Sequence, residues 1–228
     1  VGYWKTLIPY LNEGKLHFSC LKDNLEDLTT VEYLRDCAIQ AGIDTDFVYL
    51  EDIGWNQYSL TFVDLQEKNI TNLFKLYPWE WLIREAFADN LLIAPERTVW
   101  IEPAWKMILS NKAILPVLWQ LFPNHPNLLE AYFDNSKMAF DYVKKPLFSR
   151  EGENVTIVRN GKTIAQTVGS YGSEGYIYQK YCELPNFKFN YPVIGSWVIG
   201  CEPAGMGIRE TNTLITDNLS RFIPHIIN

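Results

Sequence analysis

The amino-acid sequence predicts a mixed α/β (α+β) fold with two lobes. The first half alternates strand-like and helix-like segments, which is typical of parallel β-α-β units. The second half is a series of short strand-like segments, and the Asn160–Gly161 pair between two of them predicts a β-hairpin. Pro, Asn, His and Asp gather within residues 124–137, so we expect lobes of residues 1–124 and 125–228.

The β-α-β unit is predicted near the start of the chain. Residues 15–21 alternate in polarity as a strand does, and residues 46–55 form a second strand-like segment. Between them, residues 27–43 place apolar side chains at helical spacing, and Gly42 is a typical helix stop. This order of strand, crossover and strand favours a parallel pair.

Four further segments complete the first half. The sequence predicts a strand, a turn and a strand over residues 58–77, and an amphipathic helix over residues 79–92. A short strand over residues 97–103 comes next. A helix over residues 110–122 follows it, with Ser110 as a plausible N-cap.

The second half is predicted to be rich in strands. The strand-like segments are residues 140–147, 154–168, 175–185 and 191–200. Because they follow one another with short connections and no long helix between them, we expect an antiparallel sheet in the second lobe.

The bulk composition narrows the class of function. The chain has 228 residues and a formal net charge of −7, which disfavours general attraction to nucleic acid and requires any anion site to be local. No apolar run reaches the roughly 18 residues of a membrane span, and the first residues lack the pattern of a signal peptide. The four cysteines show no zinc spacing and are typical of free thiols in a reducing compartment. We therefore expect a cytoplasmic protein with no nucleic-acid or membrane partner.

Basic side chains beside glycines are the candidates for an anion site. Lys145 lies near the end of a predicted strand, and Arg150 and Gly152 follow in a short loop whose amides could approach an oxyanion. Lys112 lies at a predicted helix start, where the helix dipole disfavours a cation, and Arg209 follows a Gly-rich stretch. These residues could hold a polyphosphate. They are also compatible with a solvated strand end, an exposed lysine and a Gly-rich turn with a surface arginine.

The order of these features along the chain resembles one enzyme family. The segments EPAWKMILSNKAILPVLWQLFPNHPNLL, YVKKPLFSREG, IYQKYCELP and GMGIRE are similar to the C-terminal part of the synthetase domain in the glutathionylspermidine synthase family. The similarity extends to stand-alone bacterial relatives described as acid–amine ligases, and it covers the chain from about Leu16 onward. It implies an ATP-grasp fold and ATP-dependent amide formation through an acyl phosphate, which the amine then attacks.

The resemblance implies ATP-binding roles for residues of the second half. Lys112 and Lys145 match two lysines that hold phosphates, and Arg150 belongs to a small loop that closes over the nucleotide. Arg209 matches an arginine that steadies charge as the acyl phosphate forms, so both arginines are catalytic candidates. The other matched nucleotide contacts, in the loop, the adenine linker and a later segment, are Glu151, Gly152, Gln179, Lys180, Tyr181, Cys182, Leu214 and Thr216.

The resemblance says less about the substrates. Glu26 and Asp27 match an acidic pair that receives the polyamine, and two carboxylates suit an ammonium group, although acids are also common at a helix N-terminus. Trp81 stands where the family has a threonine that contacts glutathione. The family analogy suggests a peptide-like acid and a polyamine or amino compound, and the departure at Trp81 argues against simply carrying over glutathione itself.

The magnesium motif of the family has no counterpart in this sequence. The family places its metal carboxylates in a Glu-x-Asn motif upstream of the matched part, and residues 1–228 contain no equivalent in that order. Because Mg²⁺ neutralises the β- and γ-phosphate oxygens, we expect the chain to be a fragment that is inactive alone, with its metal ligands outside it.

Three alternatives remain compatible with the sequence. The chain could be an inactive nucleotide-binding module that acts through a partner, which would bind ATP without releasing phosphate. It could bind nucleic acid through Lys144, Lys145 and Arg150, although the net charge argues against this. It could also be a purely structural, β-rich protein whose aromatic residues form its core.

Overall fold

The contacts of the computed structural model, which describes residues 1–226, divide the chain into two units after Met107. This division lies before the boundary predicted within residues 124–137. The reason is that the helix Ile114–Leu121 packs against the strand Ala131–Tyr132 of the second unit. A helix that the sequence pattern places in the first lobe thus belongs with the second unit.

The first unit contains three- and four-residue strands together with helices of varied length. In chain order they are α1 (Gly2–Leu7), β1 (Leu16–Ser19), α2 (Leu25–Gln40), β2 (Thr45–Phe47), β3 (Gly54–Asn56), β4 (Thr61–Val63), β5 (Asn72–Lys75), α3 (Trp79–Leu82), α4 (Asn90–Ile93) and β6 (Val99–Ile101). Short 3₁₀ turns cover Ile8–Tyr10, Leu50–Asp52, Pro95–Arg97 and Ala104–Lys106. A further short helix, α5 (Met107–Ser110), crosses the division.

The main sheet of the first unit is parallel and four-stranded, in the order β2-β1-β5-β6. The predicted β-α-β unit is confirmed, because β1 and β2 run parallel and α2 connects them. Leu16 and Phe18 of β1 are fully buried and belong to one core cluster with Val31 and Ala38 of α2. Burial of these apolar side chains holds the helix on the sheet.

The strand, turn and strand predicted within residues 58–77 are confirmed: β4 pairs with β3, and β5 pairs with β1 and β6. One prediction for the first unit needs correction. The helix predicted over residues 79–92 is broken into α3 and α4. The break allows Phe87 and Leu91 to pack against the core cluster around Phe62. Tertiary packing therefore overrides the helical pattern here.

The second unit is mainly antiparallel. Its elements are α6 (Ile114–Leu121), β7 (Ala131–Tyr132), β8 (Tyr142–Pro146), β9 (Thr156–Arg159), β10 (Lys162–Gln166), β11 (Tyr176–Lys180), β12 (Tyr191–Ile199), β13 (Glu202–Thr211) and β14 (Arg221–Ile223). They form a five-stranded sheet in the order β10-β9-β8-β11-β7 and a three-stranded sheet in the order β12-β13-β14. The predicted antiparallel sheet is confirmed.

Local turn chemistry explains one success and two errors in the second unit. Asn160 and Gly161 join β9 to β10 with φ of +51° and +71°, the left-handed values that a two-residue hairpin turn requires. Ser110 is not the N-cap of α6: it ends α5, and the turn before α6 is held by the Asn111 side chain, which accepts from the Ala113 amide at 2.9 Å. The Gly-rich stretch before Arg209 is not a turn but lies within β13.

Within residues 1–226, no helix combines the length and the hydropathy that crossing a bilayer requires.

Candidate functional site

One face of the five-stranded sheet, with the loops beside it, lines a cavity of about 450 Å³ in the second unit. Val143 and Lys145 of β8, Ile157 of β9 and Gln179 of β11 face it, and the ladder places Val143 opposite both Ile157 and Gln179. The lining includes every residue matched above to a nucleotide contact: Lys112, Lys145, Glu151, Gly152, Gln179, Lys180, Tyr181, Cys182, Leu214 and Thr216.

The floor of the cavity is apolar. Val155, Ile157 and Ile215 are buried and form one core cluster, against which Val143 and Leu214 pack. All five side chains also line the cavity. An apolar floor with a few polar groups at its edge is typical of small-molecule sites.

Lys145 provides a partly buried cation in the cavity. Its Nζ donates a hydrogen bond at 2.7 Å to Oε1 of Gln179, which is a neutral group. Burial lowers the pKa of Lys145 below its ordinary value, because a low-dielectric surrounding disfavours the charged form. An ammonium group with a neutral partner has two donors left for an anion.

Lys112 provides a second cation and ties two segments together. It lies in the turn between α5 and α6, where its main-chain amide donates to Leu147 O at 2.9 Å and its Nζ donates to Ser149 O at 2.6 Å. The contacts hold this lysine beside the loop that follows β8. The loop itself is closed by the Ser149 hydroxyl, which donates to Glu153 O at 2.8 Å.

Gly152 lies at the tightest point of this loop. Its φ of +73° is in the left-handed region, and a Cβ placed there would overlap the main-chain oxygen of Thr216. Thr167 holds the glycine from the other side, since its hydroxyl donates to Gly152 O at 2.5 Å. The loop can therefore approach the 214–216 segment only because residue 152 has no side chain.

The predicted adenine linker follows the end of β11. The amide of Lys180 donates to Glu130 O at 2.8 Å, and the amide of Tyr181 donates to Asp141 O at 3.3 Å. These two donors are used within the protein. Cys182 is the next residue along this edge and also lines the cavity.

The two candidate arginines lie outside the lining of this cavity. Arg150 is exposed in the loop before Glu151. Arg209 lies on β13 opposite Phe222 of β14, with its guanidinium carbon 4.9 Å from the centre of the phenyl ring. Its Nε is buried and has no hydrogen-bond partner among the described residues. Of the four cations singled out in the sequence, the structure brings Lys112 and Lys145 together.

Glu26 and Asp27 belong to the first unit, where they form the first turn of α2. The Asn24 side chain caps this turn by accepting from the Asp27 amide at 3.0 Å. Burial, with a smaller effect of the Glu26 charge, raises the pKa of Asp27. Trp81 lies in α3, where its ring contacts Tyr77 at a centroid distance of 5.6 Å.

Sequence reasoning missed the apolar half of the cavity. Val143, Val155 and Ile157 occupy alternate positions of adjacent strands, but alternation does not say which face of a sheet carries a cavity. Ser149 was also missed, because its contribution is a main-chain carbonyl that accepts from Lys112. A carbonyl contact of this kind leaves no signal in a single sequence.

The arrangement of sheets agrees with a solved structure of low sequence similarity. The structure of D-cycloserine synthetase DcsG matches with a TM-score of 0.54 at 15% identity, over 93% of this chain and 76% of that one. The agreement concerns the fold alone and, together with the mixed parallel and antiparallel sheets, supports an ATP-grasp-like α/β fold.

The chain belongs to the glutathionylspermidine synthase preATP-grasp family, whose model matches residues 1–228. A relative named acid–amine ligase from Haemophilus influenzae is 48% identical over 99% of this chain. The trypanothione synthetase of Crithidia fasciculata is 30% identical over 89% of it, and the bifunctional glutathionylspermidine synthetase/amidase of Escherichia coli is 26% identical over 90%. This chain spans 59%, 34% and 37% of the lengths of these three relatives, respectively.

Proposed function

We propose that this chain is the C-terminal portion of an ATP-dependent carboxylate–amine ligase and holds the nucleotide in the cavity of its second unit. The observation that carries the proposal is Lys145, a partly buried cation whose hydrogen-bond partner is neutral. A buried charge without a counter-charge is unfavourable, and the phosphates of a nucleotide would supply that charge.

The residues present fit ATP. Ligand cavities typically have volumes of roughly 300–1,000 Å³, and this one has about 450 Å³. Lys112 and Lys145 would hold phosphate oxygens, and the loop at Gly152 would cover them. The main chain at Cys182 would meet the adenine edge, with Leu214 on the apolar floor beneath.

The residues present do not fit magnesium. Within residues 1–226, no group of three or more His, Cys, Asp and Glu side chains could hold a metal ion. We therefore assign the metal no residue of this chain.

The chemistry proposed for this chain is positioning and charge neutralisation. Bound ATP would supply the phosphoryl group that converts the acid into an acyl phosphate. The two lysines would neutralise its phosphates, and the loop would exclude water from the cavity. We propose roles for Arg209 and Arg150 in steadying this charge, by analogy with the family. In the structure both lie outside the lining, so these roles require a rearrangement.

The substrates are proposed at the level of their chemical class. The names of the relatives support a peptide-like acid and a polyamine or amino compound. We propose Glu26 and Asp27 as the ammonium site, because two carboxylates suit an ammonium group. The four free cysteines of the described chain support a cytoplasmic location, where thiols stay reduced.

The test of the nucleotide site is ATP binding measured by calorimetry on two neighbouring lysine variants. Lys145→Met should lower the affinity for ATP at least tenfold, because it removes a buried, charge-assisted contact. Lys144→Met is the matched control, since Lys144 lies on the opposite face of β8 with its Nζ 3.9 Å from the centre of the Tyr176 ring. We expect the control to change the affinity less than twofold. An equal loss of ATP affinity in both variants, or no loss in either variant, would remove this site assignment.

A further inference from the structure

The parallel sheet of the first unit changes its direction of winding between β1 and β5. From β1 the chain continues to β2 on one side, and from β5 it continues to β6 on the other side. In open α/β sheets, ligands bind beyond the carboxyl ends of the strands at such a switch point. The place to examine is therefore where β1 and β5 end.

The last ladder pair at this edge consists of two polar residues. Ser19 ends β1 and Lys75 ends β5, and the two are opposite each other in the register. Ser19 is fully buried, and its hydroxyl has no hydrogen-bond partner among the described residues. Lys75 is 7% exposed, and its Nζ donates at 2.7 Å to the main-chain oxygen of Tyr77, a neutral acceptor.

Both groups are costly to the fold as they stand. A buried hydroxyl without a partner loses its hydrogen bonds to water, and a buried ammonium loses most of its hydration. His17, two residues before Ser19 on the same face of β1, carries a buried Nδ1 that also lacks a partner. Buried polar groups without a hydrogen-bond partner are few in native proteins. The Ser19 hydroxyl and the His17 Nδ1, together with the buried ammonium of Lys75, therefore indicate a ligand at the switch point.

We propose that this edge of the first unit binds the carboxylate of a small organic acid, with the Lys75 ammonium and the Ser19 hydroxyl as donors. One cation and one hydroxyl match the single charge and the two oxygens of a carboxylate. The charges of Glu80 and Glu102 also act on Lys75, and they would repel a dianion such as phosphate more strongly. The site would hold the acid of the proposed ligase, so this assignment rests on the proposed function. Because the site lies wholly in the first unit and needs no nucleotide, its test is separate from that of the ATP site.

The indole of Trp79 lies over Lys75. Its ring centre lies 4.1 Å from Nζ of Lys75, and its Nε1 donates at 3.0 Å to Glu102 O. Ser19 is closed off from solvent, so entry of the carboxylate requires side chains around it to move.

The test is an NMR titration of the 228-residue chain with N-acetylglycine. N-acetylglycinamide, in which a neutral amide replaces the carboxylate, and inorganic phosphate serve as comparison ligands. We expect N-acetylglycine to shift the resonances of the β1 and β5 ends, phosphate to bind at least tenfold more weakly, and the amide not to bind. Ser19→Ala and Lys75→Met should each weaken N-acetylglycine binding at least tenfold. Lys68→Met, at an exposed lysine of the same unit, should not.

Melting temperatures separate this site from a merely structural role. A ligand site predicts that Ser19→Ala and Lys75→Met keep or raise the melting temperature while binding is lost, because the first removes an unpartnered hydroxyl and the second a buried charge. If both variants melt normally and N-acetylglycine binds equally well to them, or if it does not bind to the unaltered chain, the proposal is wrong. Preferential binding of phosphate would overturn the carboxylate assignment.

Discussion

At the scale of single residues, Lys75 shows how burial changes acid–base behaviour. Burial lowers its pKa from the ordinary 10.5 to about 8, and the neighbouring charges of Glu80 and Glu102 only partly oppose this effect. The cause is the loss of hydration around a charged group that has a carbonyl as its partner.

This shift predicts a pH dependence of stability. Between pH values of about 8 and 10.5 the unfolded chain binds more protons at Lys75 than the folded chain, so the free energy of unfolding rises with pH in this interval. Below the interval both states are protonated, and the cost of the buried charge is present in full. Lys75→Met should therefore be more stable than the unaltered chain at pH 7, and the difference should shrink as the pH rises. Urea unfolding at several pH values would measure the difference in the free energy of unfolding between the variant and the unaltered chain. A difference that does not change with pH would contradict the lowered pKa of Lys75.

Gly152 gives a second prediction at this scale. Gly152→Ala must adopt a φ of +73° and also displace the Thr216 main chain. Gly161→Ala has a similar φ of +71°, but its Cβ would meet only the Phe140 ring, at an ordinary contact distance of 3.6 Å. We expect the Gly161 variant to lose about 1 kcal/mol of stability and the Gly152 variant at least about 3 kcal/mol. Thermal unfolding measures both values, and similar losses would show that the contact with Thr216 can relax.

At the scale of elements, helix α2 depends on its N-cap. Asn24→Ala removes the acceptor of the Asp27 amide and should lower the free energy of unfolding by about 1 kcal/mol. Asn24→Asp keeps an acceptor at the positive end of the helix and should retain most of the stability. Chemical denaturation of both variants checks this. Equal losses would indicate that the side-chain contact contributes little.

Elements with strong local signals were predictable from the sequence. Alternation found β1, β8, β9 and β11, and turn chemistry found the hairpin at Asn160–Gly161. The broken helix between Trp79 and Ile93 was not predictable, because its apolar pattern fits a helix. Packing of Phe87 and Leu91 against a distant cluster decides its shape.

At the scale of the whole molecule, we predict nucleotide binding without turnover. We propose that the metal ligands lie outside these residues, so the 228-residue chain should bind ATP but release no ADP when acids and amines are supplied. An ADP-release assay over a panel of acids and amines measures this. Sustained, substrate-dependent ADP release by these residues alone would contradict the prediction.

The full-length protein provides the complementary measurement. It should release ADP with the matching acid and amine, and Lys145→Met should abolish that release while Lys144→Met preserves it. ATP binding without ADP release in the full-length protein would instead favour a nucleotide-binding module that has lost catalysis.

The sequence by itself determined the class of fold and the succession of most strands along the chain, because periodicity and turn residues are local properties of the chain. The match of residues to a nucleotide site came from the resemblance to a family and stays a proposal. Only the tertiary structure decided which side chains meet. Lys145 and Gln179 are distant in sequence but face the same cavity because β8 and β11 pair. Ser19 and Lys75 meet because β1 and β5 are neighbours in the sheet. Pairing of distant strands follows from the burial of whole faces, which no single segment of the sequence encodes.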